Sequence, residues 1–158
     1  MMPSPELRCR IENPKGSLLV TGVVVDEQHA VVCPADYGYV PDTVGHGGRP
    51  LETIVCGSSP GRPATLVAAR PVAVVHVHER VGELEVVVCV AAADRDYGAI
   101  ETADDLPGAL RAAIERFVRS RWPLDESTAT IVWGSAAEAR DAIDDAAARW
   151  AATVNGRG

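Results

Sequence analysis

At 158 residues, 47% of them hydrophobic, the chain is long enough for one domain with a sizeable buried core. Its net charge of -7, with no basic run, excludes a nucleic-acid groove or an anionic membrane surface as partner, because both select clustered positive charge. The longest apolar stretches, such as 84 to 93, are too short to cross a bilayer, and residues 1 to 10 hold no apolar signal core, so a cytoplasmic protein is expected. Cys9, Cys33, Cys56 and Cys89 form no C-x-x-C pair, and three sit among valines, which predicts buried, reduced thiols. Lys15 is the single lysine, so a mechanism that requires one has one candidate.

From 17 to about 92 the chain is a series of short β-branched runs: LLVTGVVVD, HAVVCP, LETIVCG, ATLVAARPVAVVHVHE and LEVVVCVA, separated by Gly, Pro, Ser and Asp clusters. That spacing predicts short antiparallel strands in a barrel or sandwich. The period then changes. In DDLPGALRAAIERFVRSRW, Asp104 or Asp105 can cap a helix, Pro107 suits its first turn, and Leu106, Leu110, Ile114 and Phe117 recur at helical spacing. A last strand, ATIVWG, leads into SAAEARDAIDDAAARW, where Ser135 and Glu138 form an S-x-x-E capping box before a second helix. The pattern is α+β, a small β-barrel with two helices packed on it.

Six segments add a family likeness: IENPKGS (11 to 17), CPADYGYVPDTV (33 to 44), RPLETIVCG (49 to 57), ARPVAVV (69 to 75), DRDYGAIETADDLPGALRAAIERF (94 to 117) and WGSAAEARDAI (133 to 143). In this order and spacing the chain resembles the soluble family I inorganic pyrophosphatases over nearly its whole length, as a single domain spanning 1–158. The resemblance implies a five-stranded, OB-like antiparallel barrel with two helices. In that family the barrel mouth holds Mg²⁺ ions between aspartates, and lysines, arginine and tyrosines grip the phosphates. The chemistry suits the task, since metal ions neutralise phosphoryl oxygens and make hydroxide from water at neutral pH.

Set beside the family's Asp-x-Asp-Pro-x-Asp signature, and anchored on Pro50, this chain has Gly47, Arg49 and Glu52 at the three aspartate positions. Anchored on Gly82, Glu79, Leu84 and Val86 stand where the family has two aspartates and a lysine. Arg121 and Trp122 replace a phosphate-holding tyrosine and lysine, and Cys33 replaces a tyrosine. Glu12, Asp36, Tyr37 and Arg70 keep family positions.

These replacements lead to an expectation of no metal and no cofactor, with Mg²⁺ not bound tightly. Arg49 either pairs with Glu52, Glu12 or Glu79, or its guanidinium holds an anionic group in place of the metal. Glu52 and Glu79, if they share a partly desolvated mouth, supply acid and base, and Tyr37 orients the ligand. Arg49, Arg70, Glu12, Asp36 and Trp122 are the expected substrate-binding residues. Strand alternation turns Val77 and Glu79 inward, leaving His76 and His78 outside or at a subunit contact rather than on a metal. The function expected from this is a metal-independent cyclisation, isomerisation or hydrolysis of a small organic, possibly anionic, substrate in bacterial specialised metabolism. A catalytically dead paralogue serving as a subunit and a weak residual pyrophosphatase are the alternatives. The family likeness also implies a homo-oligomer, a hexamer or trimer.

Overall fold

The computed structural model describes residues 7–20, 30–79, 82–121 and 129–156. Trp122 and residues 21–29, which include most of the first expected run, lie outside the described residues. The chain opens with a strand that the β-branched runs do not announce, β1 (Leu7–Asn13), in which Cys9 and Ile11 are buried and Arg8 and Glu12 exposed. This is period-two alternation written with arginines instead of valines. Two short strands, β2 (Leu18–Val20) and β3 (Ala30–Val32), pair as a separate ribbon. Then come β4 (Asp36–Tyr39), β5 (Glu52–Cys56), β6 (Thr65–Glu79), β7 (Gly82–Ala91), α1 (Gly108–Arg121), β8 (Thr130–Gly134) and α2 (Ala136–Asn155).

The pairings run β1 to β4, β5, β7 and β6, and β6 returns to β1, so five strands form the ring that the sequence leads one to expect. One joint departs from the antiparallel expectation: β5 and β7 are parallel, Glu52 opposite Val86 and Cys56 opposite Val90. The long β6 meets β1 with residues 65–69, β7 along most of its length and β8 with residues 74–78. Its register with β7 slips between Pro71 and Ala73, where the proline has no N–H to give to the ladder. Gly38 on β4 lets β1 pass close by, since a Cβ there would lie 1.8 Å from the Arg10 carbonyl oxygen.

From Val86 to Val90, β7 is buried on both faces, which explains why this part reads as a continuous apolar run. Val86, Val88 and Val90 face the cluster that includes Ile114, Phe117 and Val118 of α1, while Val87 and Cys89 face Ala139 and Ala146 of α2. The alanine face of α2 lets that helix lie close against β6 and β7. All four cysteines are buried, and burial pushes the Cys56 thiol up to about 12, a neutral packing group.

The expected cap of the second helix is present, and the one expected for the first caps a separate turn. Ser135 caps α2, its Oγ accepting from the Glu138 N–H at 3.1 Å. Asp105, expected to cap the first helix, instead accepts from the Thr102 N–H and hydroxyl and closes a 3-10 turn at Ala103–Asp105, and α1 begins only at Gly108. Pro107 explains the break, because it disfavours helical backbone at Leu106. Among the described residues no helix is long and apolar enough to cross a membrane.

Candidate active site

A groove crosses one end of the barrel. Its upper reach is lined by Glu12, Leu19, Tyr37, Arg49, Glu52 and Arg121. Its middle is lined by His46, Arg49, Leu51, Glu52, Leu84 and Glu85, and its lower reach by His46, Val77, Glu79, Glu83 and Leu84. Arg49 and Glu52 belong to the first two reaches, and His46 and Leu84 join the second to the third. Of the expected site residues, the structure brings Glu12, Tyr37, Arg49 and Glu52 together and leaves Glu79 at the far end.

Glu52 is the first residue of β5, fixed between Tyr39 of β4 and Val86 of β7. Its side chain is 17% exposed, and its Oε1 lies 3.9 Å from an Arg121 guanidinium nitrogen. Its Oε2 is buried and has no hydrogen-bond partner among the described residues. Burial raises the Glu52 carboxyl above the ordinary carboxylate value, against the pull of the Tyr37 hydroxyl and of the charges on Arg121 and Arg49. Such an oxygen is stabilised by a proton or a cation.

Tyr37 is buried, its ring edge-on to Phe117 at 5.2 Å, which fixes the hydroxyl at the groove floor. Burial, and next the charge of Glu52, raise its phenol above the ordinary value, so it stays protonated and able to donate. Arg121, at the end of α1, donates from Nε to the Tyr37 hydroxyl at 3.3 Å and lies over the same ring. From the sequence alone Arg121 is only a replacement at a phosphate-holding position, with no role of its own. The signal that finds it is its place in the last turn of the helix that also supplies Phe117 beneath Tyr37. Arg49 is exposed on the loop before β5 and enters no ion pair among the described residues, which does not bear out the pairing alternative.

Two expected binding residues stand elsewhere. Asp36 is 7% exposed and spends its carboxylate on backbone: Oδ1 accepts from the Lys15 N–H at 2.8 Å, and both oxygens accept from the Gly61 N–H. Arg70 donates from one terminal nitrogen to the Gly98 and Ile100 carbonyls at 2.6 and 2.5 Å, tying down the loop before α1. Neither is among the residues that line the groove, and both are engaged with backbone groups. The single lysine is likewise engaged, its Nζ donating to the Gly57 carbonyl at 3.3 Å.

The sequence model of inorganic pyrophosphatase matches residues 7–151. The inorganic pyrophosphatase of Saccharolobus solfataricus is 32% identical over 76% of this chain and 72% of its own length; that of Haemophilus ducreyi is 31% identical over 90% and 82%. The crystal structure of an inorganic pyrophosphatase from Neisseria gonorrhoeae superposes with a TM-score of 0.74 at 25% identity, covering 92% of this chain and 91% of that one. The ring of five strands with two helices is therefore a fold shared with a solved inorganic pyrophosphatase. The chain belongs to the inorganic pyrophosphatase family.

This corrects two expectations. A mouth turned over to metal-independent chemistry on an organic substrate is contradicted by relatives of this identity and coverage, which are inorganic pyrophosphatases. A protein without a cofactor is contradicted by membership of a family that works with Mg²⁺. A magnesium site need not be a closed cage of aspartates. Mg²⁺ keeps several waters and commonly needs only one or two carboxylates when substrate phosphates supply the other oxygens.

The residues present fit that second kind of site. Among the described residues no three or more His, Cys, Asp or Glu side chains converge as a cage. The upper reach does offer two carboxylates, Glu12 and Glu52, and the buried, unpartnered Oε2 of Glu52 suits a cation. The donor set fits Mg²⁺ arriving with a phosphate ligand.

Proposed function

We propose that this chain is a Mg²⁺-dependent inorganic pyrophosphatase: water attacks one phosphorus of pyrophosphate, the bridging P–O bond breaks, and two phosphates leave. The observation that carries the reading is Glu52, a partly buried carboxylate with one buried, unpartnered oxygen and the Arg121 guanidinium at 3.9 Å, in a chain that matches the pyrophosphatase family from residue 7 to 151. Glu52 and Glu12 would hold the magnesium ion, which supplies charge neutralisation at the phosphoryl oxygens and acidifies bound water. Arg49 and Arg121 hold phosphate oxygens as charge-assisted donors at the rim and floor. Tyr37 orients the ligand through a hydroxyl kept protonated by burial. Glu79, at the end of the groove, serves as a second carboxylate toward solvent. A homo-oligomeric, cytoplasmic enzyme is the family-level setting that goes with this reading.

The test is phosphate release from pyrophosphate by the purified chain across a Mg²⁺ series. Saturable release that requires Mg²⁺ and is lost in Glu52→Ala is expected. No release by the wild type at any Mg²⁺ concentration would overturn the proposal.

A further inference from the structure

The groove's upper reach runs between two walls: Tyr37, Gly38 and Tyr39 of β4 on one side, and Arg49, Pro50 and Glu52 at the entry to β5 on the other. What spaces these walls is a side chain outside the groove. In the β4–β5 ladder Tyr37 stands opposite Ile54 and Tyr39 opposite Glu52. Val40 and Leu51 come next, and such an antiparallel pair ordinarily exchanges two bonds between its N–H and carbonyl groups. Here one is made directly, the Val40 N–H donating to the Leu51 carbonyl at 2.9 Å. The other is interrupted by Thr43, whose Oγ1 accepts from the Leu51 N–H at 3.0 Å and donates to the Val40 carbonyl at 2.5 Å. Pro41 and Asp42 bring Thr43 back onto Val40, Asp42 taking a left-handed φ of +58° that aspartate tolerates. Thr43 is 4% exposed, and both residues that it joins are buried. The second helix fixes the following residue from behind: the Val44 N–H donates to the Ala146 carbonyl at 3.0 Å, and Arg149 Nε donates to the Val44 carbonyl at 2.8 Å.

We infer that Thr43 is a positioning residue for Glu52 and Arg49: its hydroxyl, inserted into the ladder, holds the entry of β5 off β4 and so sets the width of the upper reach. A hydroxyl both donates and accepts, so one oxygen carries the ladder across the gap and leaves neither backbone group unsatisfied. Leu51 directly precedes Glu52 and lies two residues after Arg49, so the spacing fixed at Leu51 is passed to both. Without the hydroxyl, the Leu51 N–H and the Val40 carbonyl pair directly, the entry of β5 moves toward β4, and Arg49 and Glu52 move with it. The chain then loses little stability, because both backbone groups stay bonded. The groove loses its geometry, and a displacement of about 1 Å is enough to cost about 100-fold in rate. The effect on turnover rests on the proposed activity; the spacing of the two strands does not.

The test compares Thr43→Val with Thr43→Ser in the full chain. In Thr43→Val, kcat for pyrophosphate should fall about 100-fold. Its Tm should fall by only about 2 to 4 °C, the effect of one hydrogen bond in a chain of this length. The amide proton resonance of Leu51 should move, because its acceptor changes from a hydroxyl to a carbonyl oxygen. Thr43→Ser keeps the hydroxyl, and both its kcat and its Leu51 resonance should stay close to the wild-type values. A serine variant as slow as the valine one would overturn the role of the hydroxyl. Turnover lost only in step with folded protein, or a valine variant that does not fold, would make Thr43 a packing residue and overturn the positioning role. A Leu51 resonance unmoved in Thr43→Val would overturn the inserted bond whatever the protein hydrolyses. Absence of turnover in the wild type would sink the proposed function and leave the Leu51 resonance to decide the spacing of the strands.

Discussion

Asp36 and Glu52 are the first residues of two neighbouring strands, and because β4 and β5 run antiparallel they lie at opposite ends of the same strand pair. Both are carboxylates with little exposure, yet their surroundings differ in kind. Asp36 accepts from two backbone amides, those of Lys15 and Gly61, and closes the loops at its end of the barrel. Glu52 has a guanidinium at 3.9 Å and one oxygen with nothing to accept from. A carboxylate saturated by the chain's own N–H groups is part of the scaffold. One left desolvated and unsatisfied costs stability, and that cost persists at a site where a ligand or cation completes it.

The widest separation between the two ends comes from Asp36→Ala. It strands two backbone donors at about 1 to 3 kcal/mol each, so unfolding in urea should show a loss of about 4 kcal/mol. Turnover per folded molecule should hardly change, and a fall in kcat larger than the loss of folded protein would mean that Asp36 touches substrate after all. Glu52→Gln should do the reverse. We expect kcat/KM for pyrophosphate to fall about 100-fold, near 2.7 kcal/mol of transition-state stabilisation, with no loss of thermal stability.

The pH dependence of Glu52→Gln sharpens the point. The Glu52 carboxyl is raised in the folded state, so the folded chain holds its proton more tightly than the unfolded chain does. Stability falls as pH climbs from about 4.3, the unfolded value, through the raised one. The glutamine variant lacks this loss, so its advantage over the wild type should grow with pH across that window. A constant difference would mean that Glu52 is satisfied in solution.

The scaffold end was largely legible in the sequence and the mouth was not. The second helix follows from Ser135, Glu138 and the 3.6-residue recurrence of small and apolar residues, and the paired, doubly covered β7 follows from its unbroken valines. β1 was missed because its outward positions are arginines and a glutamate, which hide the alternation of Leu7, Cys9 and Ile11. At the mouth, the family resemblance implies Glu12, Tyr37, Arg49 and Glu52, which the groove does bring together, and Asp36 and Arg70, which it does not. The hydrogen bonds that engage those two come from Gly61, Gly98 and Ile100, and residue type says nothing about which carbonyl or amide a side chain will meet. The expectation of no cofactor fails for a related reason. Counting aspartates measures a cage, whereas a metal that travels with phosphate takes most of its oxygens from the substrate and water.

The gentlest probe of the comparison lies at the scaffold end, in Asp94. It accepts from the Ser58 hydroxyl at 2.6 Å and the Ser58 N–H at 2.7 Å through one oxygen, and from the N–H groups of Asp96 and Tyr97 through the other. Those donors, Ser58 first, lower its carboxyl to about 2. The sign is opposite to that of Glu52: the folded state releases the proton more readily, so the stabilisation is present above the unfolded value near 3.9 and is lost as pH falls through about 2. Asp94→Asn should therefore leave a small deficit at neutral pH that shrinks to nothing in acid, read as urea midpoints of wild type and variant measured between about pH 2 and pH 7. Because Asp94 stands at the surface, the deficit should be smaller than that of Asp36→Ala, and turnover should be unchanged. A deficit that persisted in acid would show that the asparagine disturbs the turn itself, and the contrast between satisfied and unsatisfied carboxylates would then have to rest on Asp36 alone.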